Sequence, residues 1–227
     1  MLIDGEIWLT KDAIAFILMY TIPPMGIKKS VLLLLLLLFL SADSFARPVS
    51  YPGGYTFMFK SNSLRDTAYL HYSPTSRNAV GVEAVSDKVS NDDYVYLRYT
   101  RLLFRKNHLK SQGNLYLNVG ISNDGFDNFF YAVEGDWETR RIFTGFGYKR
   151  TETNQIDIEE KYFLAGVAPY LGDYGDLHTW LMVKFKENSY SDASSLYPVI
   201  KFFKGNTLME FGYSDSSSWD IHLIYRF

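Results

Sequence analysis

The chain of 227 residues contains no cysteine. This absence excludes disulfide bonds, thiolate metal sites and cysteine nucleophiles. The chain also lacks a surplus of either charge, since 23 lysines and arginines are matched by 25 aspartates and glutamates. Nucleic-acid-binding proteins usually carry a clustered basic surplus. The composition therefore argues against nucleic acid as a partner.

Long hydrophobic runs are also scarce. The longest uninterrupted apolar block, residues 31–40, has ten residues, whereas a membrane-spanning helix needs about 20. Hydrophobic residues nevertheless make up 47% of the chain and include 17 phenylalanines and 18 tyrosines. Polar residues must therefore be interspersed among the apolar ones, which disfavours a helical membrane protein.

The apolar block lies in a segment typical of a secretory signal peptide. Lys28 and Lys29 precede the block, and small residues follow it at Ser44 and Ala46, the two positions that signal peptidase inspects. We predict a signal peptide at residues 25–46, with cleavage between Ala46 and Arg47. No cysteine follows it, so a lipid-anchored lipoprotein is excluded.

Residues 1–24 precede this signal, which begins with its own methionine. We interpret them as an upstream extension that arises from the choice of start codon. The alternative is a first membrane segment at residues 14–22, but that stretch is short and runs into Pro23 and Pro24, which stop a helix. The predicted mature domain is residues 47–227.

From Tyr55 onward, apolar and polar residues alternate in segments separated by Gly, Asn, Asp and Ser, as in β-strands and turns. Helical periodicity is absent, and only the 106–113 connector leaves room for a helical turn. Twelve strands are predicted, at residues 55–60, 66–72, 78–86, 93–105, 114–122, 127–137, 140–149, 160–170, 176–186, 196–203, 206–213 and 218–227.

The lengths and faces of these segments favour membrane-crossing strands. Many reach about 9 to 11 residues, the length that a tilted strand needs to cross a bilayer, whereas strands of globular proteins are commonly 5 or 6 residues long. Each has one apolar face, and aromatic residues near the ends of these faces could form interfacial girdles. These aromatics are Tyr148, Phe185, Tyr213, Tyr225 and Phe227.

The last segment, Asp220 to Phe227, has the sequence DIHLIYRF. Its alternation places Ile221, Leu223, Tyr225 and the terminal Phe227 on one face. Together with the signal peptide and the alternating segments, this strand resembles the C-terminal assembly signal of bacterial outer-membrane β-barrel proteins. The resemblance covers about eight residues in detail and the rest of the mature chain by pattern.

The resemblance implies an all-β fold, a closed antiparallel up-and-down transmembrane β-barrel of about twelve strands. Ten strands is the alternative if the first hairpin lies outside the barrel. It also implies export to the outer membrane of a Gram-negative-type cell. The expected partners are outer-membrane lipid, lipopolysaccharide and the barrel-assembly machinery, with a monomer as the default state.

Alternation also predicts which charged residues face the lumen. Both signs are interleaved on the inner faces, and unpaired charges in a narrow lumen are costly, so we expect them to pair. Two interpretations remain open: a structural polar network that fills the barrel, and a porin-like polar passage for small solutes. The predicted network comprises Glu83, Arg98, Glu134, Asp136, Arg141, Lys149, Lys184, Lys201, Glu210 and Arg226.

Catalysis is the main alternative, because twelve-stranded outer-membrane barrels include lipid-modifying hydrolases. The best candidate is Ser218-x-Asp220-x-His222 on one face of the last strand. Consecutive same-face residues lie about 6.8 Å apart, too far for a direct serine–histidine hydrogen bond. We therefore predict no catalytic residues and a non-catalytic role, as a narrow channel or a structural barrel. A soluble periplasmic β-barrel or sandwich is a second alternative.

No metal site or cofactor is predicted. The four histidines, at positions 71, 108, 178 and 222, show no ligand-like spacing. Asp173, Asp176 and His178 lie in or beside a glycine turn, which is interpreted as structural. The acidic residues Glu152, Asp157, Glu159 and Glu160 are interpreted as a solvated loop.

Overall fold

The computed structural model describes residues 48–173, 175–191, 194–215 and 218–227. The predicted upstream extension, signal peptide and cleavage position between Ala46 and Arg47 lie outside these residues. No helix in the described part of the chain has the length and apolar content needed to span a bilayer.

Within the described residues, twelve antiparallel strands form a closed barrel, and each strand pairs with its sequence neighbours. This confirms the predicted fold class and strand number. The strands are β1 (Tyr55–Ser61), β2 (Arg65–Thr75), β3 (Asn78–Asp87), β4 (Asp92–Asn107), β5 (Ser111–Ser122), β6 (Gly125–Thr139), β7 (Ile142–Glu152), β8 (Asp157–Val167), β9 (His178–Asn188), β10 (Ser194–Lys204), β11 (Thr207–Ser214) and β12 (Ser218–Arg226).

The first and last strands close the barrel. β1 pairs with β12 from Thr56↔Arg226 to Ser61↔Ile221, so the first hairpin belongs to the barrel and the ten-strand alternative is wrong. Tyr55 and Phe227 exchange backbone hydrogen bonds of 2.9 and 3.0 Å at the seam. The start of β1 and the end of β12 thus lie at the same end of the barrel, which we call the terminal end. The opposite end is called the distal end.

Three connections differ from expectation. The 106–113 connector shrinks to residues 108–110, because Lys106↔Gly113 and Asn107↔Gln112 extend the β4–β5 ladder beyond a bulge. β8 begins three residues earlier than predicted, since Asp157 already pairs with Glu152. The connection between β8 and β9, at the terminal end, covers residues 168–177 and is longer than the predicted 171–175.

The outer surface of the barrel is apolar around most of its circumference. Outward side chains on seven strands are large, hydrophobic and between 46% and 71% exposed. They include Leu70, Val82, Leu97, Phe146, Phe163, Leu181 and Leu196. Aromatic pairs lie at both ends, with Tyr55 stacked on Phe227 at 5.9 Å and Tyr213 beside Trp219 at 5.1 Å.

The inner surface combines charged side chains with large buried rings, of which Tyr96, Tyr116 and Phe130 are almost wholly buried. Glycines make room for some of these rings. Gly120 pairs with Phe130, and a Cβ on Gly120 would lie 2.2 Å from that ring. The inner wall is thus packed by cross-strand ring–glycine pairs as well as by charge.

Candidate functional site in the barrel lumen

An ion pair crosses the lumen between opposite walls. Arg65 on β2 and Glu160 on β8 stand six strands apart in the twelve-strand ring, and Nη2 of Arg65 lies 2.9 Å from Oε2 of Glu160. Nη1 of Arg65 also donates to Oγ1 of Thr151 on β7 at 3.3 Å. Arg65 is only 3% exposed. The side chains of Arg65 and Glu160 thus cross the lumen from wall to wall.

A second bridge runs beside the first. Nζ of Lys60 on β1 lies 3.6 Å from Oε1 of Glu134 on β6, five strands away. Glu160 contacts a second cation as well, because Nζ of Lys186 lies 4.0 Å from its Oε1. Two carboxylates and three cations thus form a charged constriction across the barrel, which we call the cross-lumen bridge (Lys60, Arg65, Glu134, Glu160 and Lys186).

Other charges pair along the wall. Arg98 donates to Glu83 at 2.7 Å and to Asn118 at 3.1 Å, and its guanidinium lies 4.3 Å from the centre of the Tyr69 ring. Lys184 pairs with Asp220 at 2.7 Å, and Lys201 pairs with Glu210 at 3.2 Å. These contacts satisfy most of the inward charge locally.

Lys149 is an exception. Among the described residues it forms no ion pair, and its Nζ instead lies 4.2 Å from the centre of the Phe130 ring. A cation above an aromatic ring is attracted by the negative face of the ring. Phe130 therefore helps to hold the Lys149 ammonium group at the inner wall.

A cavity of about 1050 Å³ occupies the lumen. Its lining runs from turn residues Leu109 and Arg140 at the terminal end to the cross-lumen bridge. On the distal side, Tyr94, Tyr96 and Phe130 pack together and are at most 7% exposed. Phe130 also borders the cavity, whose lining extends to Asn62 in the distal turn between β1 and β2.

The structure brings nine of the ten predicted lumen residues to the cavity wall. Arg141 is the exception: it lies in the turn between β6 and β7 and is exposed, so it does not face the lumen. The predicted seventh strand began at residue 140, but regular pairing begins at Ile142. Its neighbour Arg140 contacts the cavity instead and donates to the Gly172 carbonyl at 3.0 Å.

The cross-lumen bridge was largely missed by the sequence reasoning, which included only Glu134. Arg65 lay one residue before the predicted second strand, and Glu160 was grouped with a loop. Extending the inward face of β2 by one alternation step, from Thr67 to Arg65, would have identified this residue. No local pattern shows which opposite strand it meets, because 95 residues separate Arg65 from Glu160 in the chain.

The catalytic candidate on β12 is not assembled. Oδ2 of Asp220 accepts hydrogen bonds from Lys184 and Tyr197, whereas Nδ1 of His222 lies 3.4 Å from Oε2 of Glu210. Ser218 pairs with Ser214 at the distal turn and is exposed. The three residues therefore have separate partners, and no serine–histidine–aspartate relay exists among them.

Among the described residues, no group of three or more histidines and carboxylates is placed to hold a metal ion. The acidic residues of β7 and β8 lie on both the outer and the inner face of the barrel wall. Glu152, Asp157 and Glu159 lie within 2.9 to 3.4 Å of Arg150, while Glu160 faces the lumen. The expected solvated loop is therefore an ion-pair cluster at the ends of two strands.

The matches of this chain to known proteins come from solved structures. No family model matches this chain, and no curated protein matches it. Among solved structures, the chain is similar to KdgM porin and to KdgM porin in complex with disordered oligogalacturonate. Each match has a TM-score of 0.46 and 9% identity, and covers 77% of this chain and 99% of the other. Similarity at this level does not assign a function.

Proposed function

We propose that this chain is an outer-membrane β-barrel whose lumen forms a narrow passage for small polar solutes. The main observation behind the proposal is that this closed barrel has apolar side chains on its outer surface and charged side chains inside, the reverse of a soluble protein. Large apolar side chains point outward and are half exposed, while paired charges surround a cavity inside. This arrangement is the one expected of a strand between lipid and a polar lumen.

The outer surface supports membrane insertion over the soluble alternative. A soluble barrel would present a continuous ring of leucine, valine and phenylalanine to water, a larger exposed apolar surface than soluble monomers usually carry. The aromatic pairs at the two ends suit the interfacial girdles of a membrane barrel. Lipid and lipopolysaccharide are the partners proposed for this surface.

The predicted signal peptide and the last strand support the route to that membrane. We propose that the signal at residues 25–46 exports the chain and that the outer face of β12 is read by the barrel-assembly machinery. That face carries Ile221, Leu223, Tyr225 and Phe227. A monomer suffices for the proposed role, because one chain closes the whole ring.

The inner surface supports a passage rather than a solid core. A cavity of about 1050 Å³ is large enough for many water molecules. Lys60 and Glu134 of the cross-lumen bridge keep 35% and 21% of their side-chain surface accessible, so solvent reaches this level. The cross-lumen bridge is expected to exclude large substrates from this passage. The role is non-catalytic, because the candidate residues on β12 have separate partners.

The proposal is tested by reconstitution. The chain from Arg47, refolded in detergent, should show heat-modifiable gel migration and should co-purify with outer membranes when expressed with its signal. Liposomes that contain it should swell in a small sugar or amino acid faster than in a trisaccharide. Recovery of the native protein in the osmotic-shock supernatant would contradict the membrane location, and size-independent absence of swelling would contradict the passage.

A further inference from the structure

We propose that residues 48–52 form a plug that folds back into the lumen at the terminal end and restricts entry to the cavity. The inference rests on the proposed passage. It assigns a role to the segment that precedes β1. Every residue of this segment, from Pro48 to Pro52, lines the lumen cavity.

The fold-back depends on the glycine pair that follows the segment. Gly53 has φ of +85°, a left-handed conformation that side chains other than glycine rarely adopt. Gly54 is closely packed, since a Cβ there would lie 2.5 Å from Oγ of Ser50 and 3.0 Å from the Tyr51 ring. The chain therefore reverses at Pro52-Gly53-Gly54, so that the preceding residues turn into the barrel rather than away from it.

Val49 anchors the plug through apolar packing. It is 3% exposed and clusters with Ala79 on β3, Leu102 on β4 and Tyr116 on β5. All three partners lie on the inner wall near the terminal end. A side chain that packs against three inward residues must itself be inside the barrel, so the segment occupies lumen space.

Ser50 and Tyr51 contact the adjoining strands β2 and β12. The amide of Ser50 donates to Oγ of Ser73 on β2 at 3.0 Å, and Nε of Arg226 on β12 donates to Oγ of Ser50 at 3.1 Å. The Arg226 guanidinium also lies 5.5 Å from the centre of the Tyr51 ring. The segment thus connects β12 and β2 with β3, β4 and β5 and spans part of the lumen.

These contacts are few, and Tyr51 and Pro52 remain exposed. Among the described residues, the segment is held by one apolar side chain, two hydrogen bonds to side chains, one ring contact and the turn hydrogen bond from the Gly54 amide to the Tyr51 carbonyl. Each barrel strand receives more contacts from its two ladders. The plug can therefore leave its seat without unfolding the barrel, with Gly53 as the pivot.

The seating of the plug can be tested without any conductance measurement. Because the chain has no native cysteine, V49C and L109C each introduce a single thiol. Leu109 lies in the β4–β5 turn at the same end and is fully exposed. In liposomes or detergent, a water-soluble maleimide should label V49C at least tenfold more slowly than L109C. Equal rates would overturn the proposed seating.

Control of entry is tested by freeing and locking the segment. Replacement of residues 48–52 by a Gly-Ser sequence of equal length should increase the single-channel conductance or the open fraction in planar bilayers. Oxidation of S50C/S73C, which joins the plug to β2, should lower the open fraction, and dithiothreitol should restore it. Each single-cysteine variant serves as the control and should not respond to oxidation.

The outcomes separate this inference from the proposed function. Equal conductance of the parent and the Gly-Ser variant would overturn the plug and leave the passage intact. A folded Gly-Ser variant that never conducts would contradict both. Larger or more frequent openings in the Gly-Ser variant, together with slow labelling of V49C, are the result that the plug predicts.

Discussion

Arg65 shows how much one residue contributes to the interior of this barrel. It enters from β2, is almost wholly buried and reaches Glu160 on the opposite wall, where Lys186 also contributes positive charge. The 2.9 Å contact is ionic rather than a well-directed hydrogen bond. Because burial removes both groups from bulk water, each depends on the other for charge compensation.

Removing one member of this pair should therefore cost more stability than removing both. We expect Glu160→Gln to lower the free energy of unfolding by about 3 kcal/mol, since it leaves the buried Arg65 without its carboxylate. Arg65→Met should lower it by less, because Lys186 still faces Glu160 at 4.0 Å. The double variant should lose clearly less than the sum. Urea unfolding in lipid vesicles, followed by tryptophan fluorescence, measures all three variants.

Arg150 offers a matched control for this cycle. It also pairs with carboxylates, but on the outer side of the strand ends and with a third of its side chain exposed. Arg150→Met should change the free energy of unfolding far less than Glu160→Gln does, as is usual for surface ion pairs. Strict additivity of Arg65→Met and Glu160→Gln would contradict the cross-lumen bridge.

The predictability of these residues from sequence has a physical limit. Alternation assigned Glu83, Arg98 and Lys184 to the inner wall, because the period of a strand is a local property. Pairing across the lumen depends on the curvature and register of the whole ring, which no segment encodes by itself. For that reason the pairing of Arg65 with Glu160 was not predicted. The assignment of the individual residues failed for a local reason, because the predicted ends of β2 and β7 were one or two residues from the observed ones.

At the scale of elements, strand pairing in this barrel depends on positions where a side chain cannot fit. Gly81 on β3 pairs with His71 on β2, and a Cβ at Gly81 would lie 2.1 Å from the carbonyl oxygen of Leu70. The obstructing atoms are backbone, which cannot rotate away. The β2–β3 ladder would have to separate to admit even a methyl group.

Gly81→Ala should therefore lower the free energy of unfolding by about 1 to 3 kcal/mol, as overpacking does in other proteins. Gly113→Ala on β5 is the control, because its nearest neighbour would be the Trp137 ring at an ordinary 3.6 Å. Urea titration of the two variants in the same detergent makes the comparison. A Gly81→Ala variant as stable as Gly113→Ala would show that the close approach is not structural.

The seam between β1 and β12 is a second element-scale prediction. Phe227 contributes two backbone hydrogen bonds and a stacked ring to Tyr55, so its deletion should reduce the heat-modifiable, folded fraction at least twofold. Phe126→Ala is the control, since that side chain is 84% exposed near the distal β5–β6 turn. Equal folded fractions for the two variants would contradict a role for Phe227 in closing the barrel.

The elements themselves were the most predictable part of the fold. All twelve strands were expected, because alternation, turn residues and strand length reinforce one another within each segment. The observed strand boundaries differ from the predicted ones where strand pairing continues through polar residues, as at Lys106 and Asn107. The plug was missed because Pro52-Gly53-Gly54 marks a turn but does not show that the preceding residues re-enter the barrel.

At the scale of the whole molecule, the even mixture of apolar and polar residues follows from the closed ring. The outward face of each strand contributes to the apolar outer surface of the barrel. The inward face lines a lumen that contains charged side chains, aromatic rings and a cavity of about 1050 Å³. The near-neutral total charge reflects internal pairing across and along the wall. The cross-lumen bridge and the plug then limit the width of the open part of the lumen.

The most direct test of this account is planar-bilayer recording of the refolded chain from Arg47. The account predicts discrete, small conductance steps, which become larger in the Arg65→Met/Glu160→Gln double variant because the cross-lumen bridge is removed. Heat-modifiable migration of the same samples verifies that both proteins are folded. Folded protein that inserts but gives no steps in either form would contradict the passage and leave a purely structural barrel.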